Sequence, residues 1–158
     1  MELSRIVSAV AAVVLVVVYA VGSGVWVSGG QQFYEALERP AWQPPDIVFG
    51  LIWPYNFIVL AAAGVVVALS GSGAARGWWL GLTALSVCAA LSWAWLFYVG
   101  HALWPAAVAL LIATLLTVPI VIITWRVAWV PGVLLVPYAL WLATATSLAV
   151  GYSLNNTA

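Results

Sequence analysis

Phe33-Tyr34-Glu35-Ala36-Leu37-Glu38-Arg39-Pro40-Ala41-Trp42-Gln43-Pro44-Pro45-Asp46, running into Phe49-Gly50-Leu51-Ile52-Trp53, is the stretch on which the reading of the chain turns. It is dense in both charge and proline and lies between two long apolar runs. A connection this rich in rings and prolines, leading straight into an apolar run, has the character of a shaped cover rather than a spacer. Phe33, Tyr34 and Leu37 recur at helical spacing with Glu35 and Glu38 between them, which predicts a short amphipathic helix. Arg39-Pro40 breaks it, and Pro44-Pro45 restarts the chain as a helix. Asp46 then adds a negative charge to the new first turn, where the helix dipole favours one.

Outward from this loop the chain is almost wholly apolar. Of 158 residues, 66% are hydrophobic, 5% are charged and none is lysine, whereas a soluble domain carries about 25% charged residues. Apolar runs of about 20 residues cross a hydrocarbon core of about 30 Å as helices. The runs are continuous rather than alternating, which excludes a barrel. Five spans are predicted, at about 6–27, 47–69, 78–98, 105–125 and 133–154. The expected fold is all-α: a polytopic five-helix transmembrane bundle in one domain, 1–158, with a long first loop containing a short helix. The first run also has signal-peptide features, with Arg5 as a positive region and Gly22-Ser23-Gly24 near a cleavage site. Its apolar sequence continues to Val27, so it is read as a span.

Five spans put the termini on opposite sides. Arg5, Arg76 and Arg126 fall on the N-terminal side, and Arg39 falls on the other beside Glu35, Glu38 and Asp46. The positive-inside rule then places the N-terminus in the cytoplasm, and the expected setting is a prokaryotic cell membrane. The segment 70–77 reads as a flexible linker by composition. Gly100 to Trp104 reads as a tight turn with Pro105 in the first turn of the fourth helix, and Pro131-Gly132 does the same work before the fifth. Short turns predict that sequential helices are antiparallel neighbours.

Eleven tryptophans require explanation. Trp26, Trp78, Trp79, Trp104, Trp125 and Trp129 lie at span ends, where an indole anchors at the interface. Trp53, Trp93 and Trp141 lie within spans. Phe49, Trp53 and Phe57 step by four down the second helix, Trp93 and Phe97 do so on the third, and Tyr138, Trp141, Ala145, Leu148 and Ala149 share a face of the fifth. At 1.5 Å per residue, Trp53 and Trp93 both lie roughly 9 Å inside the loop end, with Trp141 near mid-span. If these faces converge, they line a flat-walled apolar cavity beneath the loop, a common kind of ligand site; simple aromatic packing is the alternative.

No span holds an ionisable acid or base of the kind an ion-coupled transporter generally places there. There is no nucleophile–base pair, metal-ligand cluster or phosphate loop, so no catalytic or metal-binding residue is assigned. Cys88 is alone within a span, and His101 reads as a solvated loop histidine. There is no basic patch for nucleic acid. Asn56, Ser86, Ser92, Thr144 and Thr146 can bond a neighbouring helix or a ligand, and Gly77 and Gly81 form one small-xxx-small pair able to seat a helix contact, including a homodimer.

The pattern Phe33-Tyr34, Leu37, Arg39-Pro40, Trp42, Pro44-Pro45, Phe49-Gly50 and Trp53 resembles the tryptophan-rich sensory protein family, also called the translocator protein or peripheral-type benzodiazepine receptor family. The likeness continues through Trp93, Phe97-Tyr98, Pro137-Tyr138, Trp141, Ala145 and Leu148, and covers the whole chain. It implies a five-helix bundle, often dimeric, that needs no cofactor and binds porphyrins, such as protoporphyrin IX or a haem-like ring, or other apolar small molecules below the first loop. The pocket residues implied by motif position are Tyr34, Pro44, Trp53, Phe57, Trp93, Phe97, Trp141 and Ala145. Ala90, Ala94 and Ala149 stand where the family usually has asparagine, serine and asparagine, which leaves the pocket or the helix interface more apolar. The sterol motif of mitochondrial relatives needs a basic residue after a tyrosine near the last helix end, and none follows Tyr152. The resemblance thus implies binding for sensing, sequestration or transport. Light-dependent porphyrin breakdown and a structural role without a small ligand are the alternatives.

Overall fold

A computed structural model describes residues 2–156, which are helical almost throughout, with no strand among them. In chain order the elements are α1 (Glu2–Gly29), α2 (Gln31–Ala36), α3 (Asp46–Ser70), α4 (Gly73–Tyr98), α5 (Leu103–Val127), α6 (Trp129–Leu134) and α7 (Val136–Asn156). Among the described residues, α1, α3, α4 and α5 are long and apolar enough to cross a membrane, and α6 and α7 together make the fifth such crossing. Hydrocarbon offers no water to unpaired N–H and C=O groups, so a continuous apolar run there closes its own hydrogen bonds as a helix. The fold is the expected all-α membrane bundle, and its outer surface is apolar. On α1, Val10, Val14, Val17, Val21 and Val25 are exposed, while Ala12, Val16 and Tyr19, spaced four and three apart, are buried.

Helix α1 lies against both α3 and α4, α4 packs along α5, and α5 along α7. The expectation that sequential helices are neighbours therefore fails for α3 and α4. They touch lightly because α1 occupies the face each would offer the other. The segment 70–77 is not a flexible linker either. Gly71 and Ser72 alone separate α3 from α4, and the Ser72 hydroxyl accepts the Ala75 N–H at 3.2 Å. That cap satisfies one of the donors a helix start leaves unpaired, so α4 begins within the glycine-rich sequence. Pro131 and Gly132 likewise lie inside α6. The break comes at Leu135, just ahead of Pro137, whose missing N–H cannot continue the ladder.

Trp79 departs from the interfacial role expected of it. It is 1% exposed, and its indole N–H donates to Thr124 Oγ1 of α5 at 3.0 Å. Trp78, Trp104, Trp125 and Trp129 are exposed near helix ends, as a belt requires. The Trp79 ring meets α3 at Gly64, where a Cβ would fall 2.6 Å from the ring and 2.7 Å from the Ala12 Cβ of α1. Three helices thus meet at one point where a hydrogen stands in place of a side chain.

Overpacking of this kind typically costs about 1–3 kcal/mol. Gly64→Val is therefore expected to lower the thermal unfolding midpoint in detergent clearly, whereas Gly50→Ala, with nothing within 4 Å of the added carbon, leaves it in place. Equal midpoints for the two variants would contradict the packing.

Candidate functional site: an aromatic cavity beneath the first loop

The faces of α3, α4 and α7 converge at the loop end of the bundle. Trp53 lies near-parallel to Phe57 (centroids 5.6 Å apart, planes at 26°) and to Trp93 (6.5 Å, 21°), and edge-on to Trp141 (6.4 Å, 89°). Phe49 meets Trp141 at 5.1 Å, also edge-on. These rings wall a cavity of about 460 Å³. Of the residues singled out in the sequence, Tyr34, Trp53, Phe57, Trp93, Phe97, Trp141 and Ala145 all line it. Pro44 does not. It precedes α3 by two residues, in the extended lead-in that the proline pair imposes, and so shapes the approach of the chain rather than the wall.

The wall has a side that a search for aromatics does not find. Ala20, Ser23, Gly24 and Val27 of α1 face the cavity, at the same three-to-four spacing as the rings but with small side chains. Gln31, Glu35, Arg39 and Asp46 form its rim. Of the three alanines that depart from the family pattern, Ala149 lines the cavity, while Ala90 and Ala94 are fully buried and do not line it. Behind the wall, the Tyr19 ring packs edge-on against Phe57 (5.1 Å) and Trp53 (6.1 Å). The indole N–H groups of Trp93 and Trp141 are buried with no partner among the described residues. A buried donor left unpaired costs about 1–3 kcal/mol, which a ligand acceptor would recover.

The loop forms the roof. Helix α2 ends at Ala36, earlier than the Arg39-Pro40 break predicted, because Leu37 is already extended (φ −77°, ψ 144°). Phe33 stacks on His101 at 3.8 Å with planes 15° apart. His101 is exposed, as a loop histidine should be, yet it holds a left-handed φ of 51°. Tyr34 packs against Tyr98, Phe97 and Tyr152 at 6.0, 6.5 and 5.6 Å.

The return leg is fastened to α7. Gln43 Nε2 donates to the Tyr34 hydroxyl at 3.0 Å, and the Tyr152 hydroxyl donates to Gln43 Oε1. Asn156 accepts the Glu38 N–H at 2.8 Å and donates to the Glu38 carbonyl at 3.0 Å. Pro40 and Trp42 settle on Gly151, where a Cβ would come within 2.7 Å of both. The Arg39–Asp46 pair, 3.5 Å apart, joins the two ends of the return leg in solvent.

Gln43→Leu removes both bonds to the tyrosines, each worth about 1 kcal/mol. It is expected to raise hydrogen exchange across 31–45 by up to about thirtyfold while leaving α4 and α5 protected. Unchanged loop exchange would mean that the roof is held by packing alone.

Residues 9–154 match the TspO/MBR family. The Bacillus subtilis protein named "Uncharacterized membrane protein YtaB" is 32% identical over 151 residues, covering 93% of this chain and 95% of that one. The Bacillus cereus "Tryptophan-rich protein TspO" is 28% identical, covering 78% and 80%. The Homo sapiens "Translocator protein" is also 28% identical, covering 75% and 72%. With nearly its whole length matched, the chain belongs to the TspO/MBR family.

Proposed function

We propose that this integral membrane protein binds a flat apolar ligand, a tetrapyrrole such as protoporphyrin IX or a haem-like ring, in the cavity beneath the first loop, for sensing, sequestration or transport. The observation that carries the reading is the near-parallel set Phe57–Trp53–Trp93 with Trp141 edge-on, walling about 460 Å³. That volume lies within the 300–1,000 Å³ or so usual for small-molecule sites. Parallel indoles present broad faces against which a conjugated ring stacks, and aromatic pairs add about 0.5–1.5 kcal/mol beyond area burial. The unpaired indole N–H groups of Trp93 and Trp141 suit ligand acceptors. Arg39, the cation among the lining residues, sits at the rim, where ring carboxylates would emerge.

The same reading places the N-terminus in the cytoplasm of a prokaryotic cell, supported by Arg5, Arg76 and Arg126 on one side and by the bacterial relatives. It also includes a homodimer. Gly77 and Gly81 face outward on α4 with nothing within 4 Å, leaving that face open to a second copy.

A tryptophan-fluorescence titration of the detergent-purified protein with protoporphyrin IX tests the binding. Losing one indole from the wall removes about 1.5–3 kcal/mol, so Trp53→Ala and Trp141→Ala are expected to weaken binding about 10- to 150-fold. Cys88→Ser, on the exposed side of α4, should bind as the parent does. Folded tryptophan variants that bind as tightly as the parent would overturn the assignment.

A further inference from the structure

Most polar side chains within the spans are answered by a neighbour. Ser92 and Thr144 donate to carbonyls one turn back, at 2.8 and 3.0 Å, and Thr114 and Thr146 meet at 2.8 Å. Ser86 donates to the Ala113 carbonyl at 3.2 Å. Asn56 is not so answered. It is 0% exposed on α3, and neither its Nδ2 nor its Oδ1 has a hydrogen-bond partner among the described residues. The hydroxyls of Thr83 on α4 and Tyr19 on α1, each 1% exposed, share this condition.

The surroundings of Asn56 follow from the helix register. Gly64 meets Trp79, and α3 and α4 run antiparallel. Eight residues back along α3 and eight on along α4 set Asn56 level with Val87, beside Ser86. Near this layer the Tyr138 hydroxyl of α7 lies among those of Tyr19 of α1, Thr117 of α5 and Ser86 of α4. Around Tyr138, the crossings α1, α4, α5 and α7 each contribute a neutral hydroxyl, and α3 contributes Asn56 at the level the register gives. Tyr19 packs against the Trp53 and Phe57 rings of the cavity, and neither it nor Asn56, Thr83, Ser86, Thr117 or Tyr138 is part of the cavity wall. The layer is a separate site.

We propose that this layer binds internal water, with Asn56 as its principal protein partner and Thr83, one turn away by the same register, as a second. The carboxamide needs both an acceptor for Nδ2–H and a donor for Oδ1. A metal cation supplies no acceptor, and no carboxylate lies in the layer to balance its charge. Water supplies donor and acceptor together, and a buried water typically makes about three hydrogen bonds to groups that would otherwise go unsatisfied. Five helices each offering a neutral hydrogen-bonding group suit that chemistry.

The chain contains three asparagines, Asn56, Asn155 and Asn156, so selective ¹⁵N-asparagine labelling yields three side-chain amide pairs. The pair lost in Asn56→Leu is that of Asn56. If this variant does not fold, Asn155→Ser and Asn156→Ser assign the pair by elimination. In the full chain in deuterated detergent, the Asn56 amide protons are expected to show a nuclear Overhauser cross-peak at the water frequency. Its sign should be that of water held for the tumbling time of the particle, and it should persist when protoporphyrin IX is added. A resolved Asn56 pair with no such cross-peak would overturn the site. A cross-peak abolished by the porphyrin would overturn its separateness from the cavity.

Discussion

The architecture depends on the crowding of Ala12, Gly64 and Trp79. Because Gly64 has no Cβ, α3 closes onto α1 and onto the Trp79 ring. The Trp79 indole is in turn hydrogen-bonded to Thr124 of α5, so one point of contact ties four helices. At the loop end the facing residues are large instead. Tyr19, Phe49, Trp53 and Trp141 stand between the backbones, and α3 meets α7 mainly through rings. Helices pinned close at one level and propped apart at another enclose a space, and the rings that prop them become its walls. Interiors pack at near-crystalline density, so a space of this size persists only where rigid groups hold it open.

The roof is closed by a different class of interaction. The bonds that join the loop to α7 run through Gln43, Tyr34, Tyr152 and Asn156, all uncharged groups. The Arg39–Asp46 pair is exposed on both sides, and such pairs contribute about 0–1 kcal/mol. Closure therefore rests on neutral hydrogen bonds and on the fit of Pro40 and Trp42 over Gly151. That is economical beside a membrane, where a buried charge would be costly. It also gives the prolines and tryptophan of the loop a shared purpose as a fitted surface.

Two levels of the interior carry buried polar groups with no hydrogen-bond partner among the described residues. The upper level holds the indole N–H groups of Trp93 and Trp141 beside the cavity, and the lower holds Asn56 and Thr83. The edge-on Tyr19 ring lies between them, apolar toward Trp53 and Phe57 and polar toward Tyr138. Amphipathic side chains of this kind let a flat-walled apolar space sit directly above a hydrogen-bonding one.

The spans, the short helix in the loop and the aromatic stripes on three helices were legible because each is a local pattern of period 3.6 or a run of fixed length. Seven of the eight residues singled out line one cavity for the same reason: a stripe on a helix must face something. Pro44 lies outside the cavity wall because motif position does not say which way an extended segment turns. Trp79 read as an interfacial anchor because its place in the sequence is the same as that of its neighbour Trp78, 69% exposed on another face of the same helix. The α1 side of the cavity, built of Ala20, Ser23, Gly24 and Val27, leaves no compositional mark. Hydrophobicity and periodicity in the sequence alone determined a five-helix membrane bundle with a covered, ring-rich end. Which helices touch, where they are pinned and what space remains were decided by the tertiary structure, because a close approach such as that at Gly64 depends on a partner 15 or 52 residues away.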